Sequence, residues 1–200
     1  VSASGTPRLV AFGFNSIKAC AYDAANDRLY ISDNADENET PGAQSGDTVF
    51  VVADAATATL LNAPELELLV EDSVEFAGSL AVDANGDVFV GNAAGAGVGE
   101  VLKIDVDGGP SVSTFAAGFD FTGGIAIDPS TGNIFVAESL STFDNQIHQY
   151  TSSGTSVAPS PFAGPSFGFG SFGLTFLPDG SLLASGAFGG DIVAFDTSDS

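Results

Sequence analysis

An all-β fold, a β-propeller built of four four-stranded blades, is what this sequence predicts, and three observations predict it. A pattern of small residue, apolar run, turn and second apolar run recurs four times along the chain. The runs are short, rich in Val, Ile, Phe and Ala, and bounded by Gly, Asn, Asp and Pro, as strands joined by tight turns are. No window carries a convincing helical stripe; residues 60–70 come nearest, and Pro64 interrupts them. At 200 residues the chain is one domain, 1–200, with enough length to bury a core.

The elements follow in order. The first unit reads Lys18-Ala-Cys-Ala-Tyr-Asp23 and Arg28-Leu-Tyr-Ile-Ser-Asp33; the second, Gly78-Ser-Leu-Ala-Val-Asp83 and Asp87-Val-Phe-Val-Gly-Asn92. The third is Gly123-Gly-Ile-Ala-Ile-Asp128 with Asn133-Ile-Phe-Val-Ala-Glu138, and the fourth Phe172-Gly-Leu-Thr-Phe-Leu177 with Ser181-Leu-Leu-Ala-Ser-Gly186. Third runs follow at 48–53, 100–104, 146–150 and 191–195, and fourth runs at 66–70, 112–116 and 157–162. Asn85-Gly86, Gly132-Asn133 and Asp179-Gly180 supply the positive-φ residues that hairpin turns require. Residues 8–14 read as a strand ahead of the first unit, and the chain ends after a third strand at Phe195. That phase predicts closure, with the N-terminal strand completing the last blade and removing a free edge. The rival is a fragment of a larger ring.

Residues 80–90 (Leu-Ala-Val-Asp-Ala-Asn-Gly-Asp-Val-Phe-Val) and 125–136 (Ile-Ala-Ile-Asp-Pro-Ser-Thr-Gly-Asn-Ile-Phe-Val) resemble blades of NHL-repeat propellers. Their relatives include the gluconolactonase and senescence-marker lactonases. The resemblance spans all four units, closely in the second and third and loosely in the first and fourth. Such proteins usually have about six blades, and the conspicuous Arg of many NHL third strands is missing here. The resemblance implies a fold more than a function, since propellers host unrelated activities. It also implies where a lactonase would hold its divalent metal, on an Asn or Asp just before the Gly that opens an inner strand. That column is Lys18, Gly78, Gly123 and Phe172, none of which offers a side-chain oxygen, and Lys18 opposes a cation.

Four Lys+Arg against 26 Asp+Glu leave a net charge of −22, which sets the surface against nucleic acid and anionic membrane. The chain is 44% hydrophobic with 17 Phe, far from the apolar poverty of a disordered acidic tail. No apolar stretch approaches the ~18 residues that a membrane helix needs. The acid load, the absence of Met and the polar opening Val1-Ser-Ala-Ser-Gly5 lead to the expectation of an exported protein.

A second column stands at the ends of the second strands: Asp33, Asn92, Glu138 and Gly186. In a propeller these ends approach the axis, and hard cations take such oxygens, so Asp33, Asn92 and Glu138 are the candidate calcium ligands. The insertion at 34–47, with Asn34-Ala-Asp-Glu-Asn-Glu39, adds carboxylates. The plainer alternative is that these residues cap turns. Asp83-Ala-Asn-Gly-Asp87 and Asp105-Val-Asp-Gly108 read as Asx turns, lacking the distal Glu of a calcium loop. His148, the single histidine, is expected to pack between blades, and Cys20 to be buried and inert. Phe12, Phe14, Phe76, Phe119, Phe121, Phe167, Phe169 and Phe172 recur before inner strands, where aromatic rings seal the wedge between blades.

Together these features predict a non-catalytic module that binds a protein partner or a second copy of itself; a metal-dependent lactonase or related hydrolase is the alternative. Binding is expected on the face carrying the long connections 34–47, 92–99, 138–145 and 162–173, since varied loops on a rigid scaffold carry contacts. The charge itself generates an expectation. At −22 the folded chain repels itself, and salt screens that repulsion over roughly 10 Å at 0.1 M. The melting temperature should therefore rise between about 10 mM and about 1 M NaCl; a flat response in differential scanning fluorimetry would contradict it.

Overall fold

The computed structural model describes residues 7–14, 16–33, 48–62, 66–70, 74, 77–92, 97–139, 145–163, 171–186 and 190–197. Among them there is no helix. The first sheet joins β2 (Ile17–Asp23), β3 (Arg28–Asp33), β4 (Thr48–Val52) and β6 (Glu67–Val70), each antiparallel to the next. The second joins β7 (Ala77–Val82), β8 (Val88–Asn92), β9 (Gly99–Asp105) and β10 (Ser111–Phe119). The third comprises β11 (Phe121–Ile127), β12 (Ile134–Ser139) and β13 (Asn145–Tyr150), and the fourth β14 (Ser171–Phe176), β15 (Leu182–Gly186) and β16 (Ile192–Phe195). Each sheet is a meander that starts with the first strand of a sequence repeat.

The turn after the first strand is built by its aspartate in the first three sheets; the fourth has Leu177 there. Asp23 accepts from the Ala25 and Asn26 amides at 2.9 and 3.2 Å, and Asp83 from those of Asn85 and Asp87 at 2.8 and 3.0 Å. Asp128 takes the Ser130 amide at 2.8 Å and the Thr131 hydroxyl at 2.6 Å. The Asx turn expected at Asp83 is the second of these, and Gly86, at φ 89°, supplies its left-handed residue. Asp107 donates its amide to Asp105 in the same way, at 3.1 Å.

The core lies between sheets, where side chains of one strand face those of the next unit. Tyr30, Val49 and Val51 of the first sheet meet Leu80, Val88 and Val90 of the second. Phe89 and Val101 meet Ile125, Ile134 and Val136 of the third; Phe135 and Ile147 meet Leu182 and Ala184 of the fourth. Edge-to-face rings knit these layers, Phe89 on Phe115 with centroids 5.0 Å apart and Phe135 on Phe176 at 5.3 Å. Phe14 packs on Phe50 and Phe119 is buried, as expected, but Phe12 and Phe121 stay partly exposed. Phe76, Phe167 and Phe169, and the side chain of Phe172, lie outside the described residues.

The first strands of successive sheets touch, β2 on β7, β7 on β11 and β11 on β14. A hydroxyl bridges the first two pairs of sheets: Ser32 of β3 donates to the Gly78 carbonyl and Ser79 of β7 to that of Gly123. At the third the backbones come closer still. A Cβ on Gly124 would stand 2.6 Å from the Leu174 nitrogen and 3.0 Å from the Gly173 carbonyl carbon.

Three expectations need correcting. Residues 8–14 do not complete the fourth sheet: β1 (Ala11–Phe12) pairs in parallel with β5 (Leu61–Asn62), and Val10 and Phe14 cover Ile31 and Phe50 of the first sheet. An apolar face beside the strand captured it, and no closed sheet forms among the described residues. Residues 157–162 form no regular fourth strand for the third sheet. Isolated bridges flank them, Tyr150 to Ser156 and Ile147 to Ala163, and Val157 donates its amide to the Gln149 carbonyl, but Pro159 and Pro161 cannot donate to a ladder. Cys20 is exposed rather than buried, because nothing described covers the outward side of β2 at that position.

Gly124→Ala should force the third and fourth sheets apart, at a cost of about 1–3 kcal/mol for an overpacked contact. In urea unfolding the variant should lose that stability, whereas Gly132→Ala, in open space at a turn, tests only the φ of 74°. An unchanged midpoint for Gly124→Ala would show that the contact yields freely.

Candidate functional site

The strand-end column is buried, with Asp33 and Asn92 each 3% exposed and Glu138 5%. Its members hold the chain where it enters or leaves a sheet. Asp33 Oδ1 accepts the Ser16 amide at 2.7 Å, one residue before β2 begins; Glu138 Oε1 accepts the Asp120 amide at 2.7 Å, one residue before β11. Asn92 Nδ2 donates to Glu100 Oε1 at 3.2 Å, and the other Glu100 oxygen takes the Thr114 hydroxyl at 3.0 Å. In the fourth sheet the position is Gly186, whose amide donates to the Asp191 carbonyl at 3.0 Å. The same place in the first and third repeats therefore does the same work, capping the approach to the inner strand. Among the described residues, no three His, Cys, Asp or Glu side chains stand together as a metal site would need. The acidic stretch of the insertion, 34–39, lies outside the described residues.

Glu138 has a second partner that sequence reasoning missed. His148 Nε2 lies 2.8 Å from Glu138 Oε2, in a layer shared with Phe119, whose ring meets the imidazole edge-on at 5.5 Å. His148 thus packs between the second and third sheets, as expected, but paired with a carboxylate. The register shows why: His148 sits opposite Val136, so its side chain shares a face with Glu138 two residues on. Strand pairing of residues 134–139 with 145–150 carries that signal, and a single-strand pattern does not. Burial, and then the Glu138 charge, push the neighbouring Tyr150 phenol above its ordinary value.

The lactonase column is used otherwise. Lys18 is exposed on β2, and the carbonyls of Gly78 and Gly123 accept the Ser32 and Ser79 hydroxyls. On the opposite, short-turn face, Asp23, Asp83 and Asp128 line one open hollow of about 640 Å³ together with Asn85, Ser130 and Ser152. A smaller hollow of about 380 Å³ opens between Asp128, Asn133, Gln149 and Asp179. The repeated turn aspartate was legible in the sequence; its convergence on one hollow was not. Burial works to raise the Asp23 and Asp128 carboxyls, but hydrogen bonds from Asn26, and from Thr131 and Ser130, outweigh it and hold both below their ordinary value.

No protein-family model matches the sequence, and no curated protein is significantly similar to it. Solved structures do match. A protein assigned to the gluconolactonases is 14% identical, with a TM-score of 0.68, and the match covers 96% of this chain and 62% of that one. A structure of a nidogen/laminin complex matches at 11% identity and a TM-score of 0.58, covering 92% of this chain and 76% of the other. A luciferin-regenerating enzyme matches at 14% identity and a TM-score of 0.57, over 92% and 73%. The chain has the β-propeller architecture. It spans 62% of the length of the gluconolactonase, and at these identities the likeness concerns the fold alone.

The turn carboxylates predict an acid limb. Their folded values lie below their unfolded ones, so they stabilise the fold above about pH 4 and lose that contribution as pH falls through the folded value. Asp128→Asn should be less stable than the parent at pH 7 and should lose less on acidification from about pH 4 to about pH 2. Equal acid slopes in urea unfolding would refute the assignment.

Proposed function

We propose that this chain is a propeller module, its four sheets acting as successive blades, that binds a protein and turns over no small substrate. One observation carries the reading. The positions where a lactonase of this architecture would present metal ligands hold Lys18, Gly78, Gly123 and Phe172, and the two glycine carbonyls are engaged in sheet-to-sheet hydrogen bonds. The nidogen/laminin neighbour supports it as an instance of the architecture in a protein complex. The binding surface in this reading is the face bearing the long connections, and an exported setting suits it. Of those connections, residues 34–47, 93–96, 140–144 and 164–170 lie outside the described residues. At −22, the partner favoured by charge is a basic segment of another protein.

The alternative, a metal-dependent lactonase or related hydrolase, draws on the His148–Glu138 pair, an imidazole held by a carboxylate at 2.8 Å. Calcium on Asp33, Asn92 and Glu138 is compatible with either reading, and must compete with the amides of Ser16 and Asp120 for the carboxylate oxygens.

Two measurements separate the readings. Selection from a displayed random-peptide library should enrich Lys- and Arg-rich peptides that lose binding when residues 34–47 are replaced by a Gly-Ser linker. A panel of sugar lactones with added calcium, zinc or manganese should show no turnover above the metal blank. Metal-dependent turnover that disappears in His148→Ala, with calcium raising the melting temperature, would establish the hydrolase instead.

A further inference from the structure

The apolar layer between the third and fourth sheets ends, on the short-turn face, in a polar group left unsatisfied. On β13, Gln149 lies opposite Phe135 of β12 and two residues from Ile147, so the three side chains share one face of the sheet. Phe135 and Ile147 pack against Leu182 and Ala184. Gln149 closes that layer and is 3% exposed. Its Oε1 is buried and has no hydrogen-bond partner among the described residues. A buried acceptor in that state is costly, and native structures rarely keep one without a ligand or water to satisfy it.

Gln149 lines the smaller hollow, of about 380 Å³, and the rest of that lining is one-sided in charge. Asp128 follows β11, Asp179 stands in the turn after β14, and Asp196 follows β16. Asp179 accepts the Ser181 amide at 3.0 Å, which holds its carboxyl below the ordinary value, while the Asp196 charge works the other way. Among the described residues no Lys or Arg lines the hollow; the four in the chain, Arg8, Lys18, Arg28 and Lys103, all precede the third sheet. Three carboxylates and an orphan carbonyl oxygen therefore border a space to which the chain brings no cation. The acceptors are spread around it: no three acid side chains among the described residues stand together as a metal ion would need. Asp128 already receives the Ser130 amide and hydroxyl and the Thr131 hydroxyl. Separated acceptors suit a cation that points several N–H donors outward from one centre, as an ammonium group does.

We propose that this hollow binds a small organic cation through a primary ammonium group, whose donors reach Gln149 Oε1 and the Asp179 and Asp196 carboxylates. One group then supplies the donor that Gln149 lacks and offsets the like charges gathered from two sheets, through charge-assisted hydrogen bonds. A space of about 380 Å³ takes the ammonium and a few carbons of its chain, and the open side lets a longer chain run out to solvent. The site lies on the short-turn face and involves no turnover, so it stands or falls separately from partner binding on the long-connection face.

Titration of the isotope-labelled chain with propylammonium chloride tests it, followed by NMR at about pH 7 in about 0.15 M NaCl, where diffuse attraction to the acidic surface is screened. Binding should saturate, with the Gln149 side-chain amide and the backbone amides of Gly180 and Ser181 shifting together. Tetramethylammonium carries the same charge without N–H donors and should bind about tenfold more weakly or worse. Gln149→Leu and Asp179→Asn should each weaken propylammonium binding by about tenfold, whereas Asp107→Asn, at an exposed turn of the second sheet, should leave it unchanged. If Gln149→Leu does not fold, Asp179→Asn, at an exposed position, decides alone. Shifts that never saturate, or equal binding of tetramethylammonium, would reduce the effect to surface charge and overturn the proposal. Binding indifferent to both hollow variants would overturn it too, as would calcium displacing propylammonium at equal concentration, which would make the hollow a metal site.

Discussion

The close approach of the inner strands is the constraint on which the rest of this structure depends. β7 lies near enough to the first sheet for the Ser32 hydroxyl of β3 to reach its Gly78 carbonyl, and β11 lies near enough to β7 for Ser79 to reach that of Gly123. Where β11 meets β14 there is no room for a methyl group at Gly124. Gly91 belongs to the same arrangement: a Cβ there would stand 2.5 Å from the Ser79 oxygen and disturb the hydroxyl that bridges the second and third sheets. Small residues near the beginnings of first strands and the ends of second strands are thus a packing requirement, set by the neighbouring unit.

Once the inner strands are in register, the layers outside them follow. Strands β4 and β8 are buried along their whole length, because a described layer covers each of their faces. Burial of that kind leaves polar groups at the strand ends without water, and the structure answers with internal partners. Asp33 and Glu138 take backbone amides, and Asn92 takes a neighbouring carboxylate. A buried carboxylate is costly unless hydrogen-bonded, so acids at these ends follow from the architecture before any ligand is considered.

What was legible in the sequence was whatever a single repeat encodes within itself. Residues 78–92 and 123–138 carry both strands, the turn aspartate and the turn glycine in a short window, and the structure follows them closely. Features that need a second segment were not legible. A two-residue parallel pair between Ala11–Phe12 and Leu61–Asn62 has no local signature and depends on an apolar face assembled from distant strands. His148 reads as a packing residue until its strand is laid against that of Glu138. Cys20 occupies an apolar position in an inner strand, and only the absence of a described layer beyond it exposes the thiol. Residues 157–162 have the composition of a strand, but their prolines cost them the ladder.

Each sheet touches chiefly the sheets before and after it, as the separate apolar layers show. A fold connected in this way is close to a one-dimensional stack, and its local stability varies along its length. The second and third sheets are held from both sides. Among the described residues, the first is packed by the second and by the strap of residues 8–14, and the fourth by the third. Amide exchange should therefore reach the middle strands β8 and β12, buried from both sides, last.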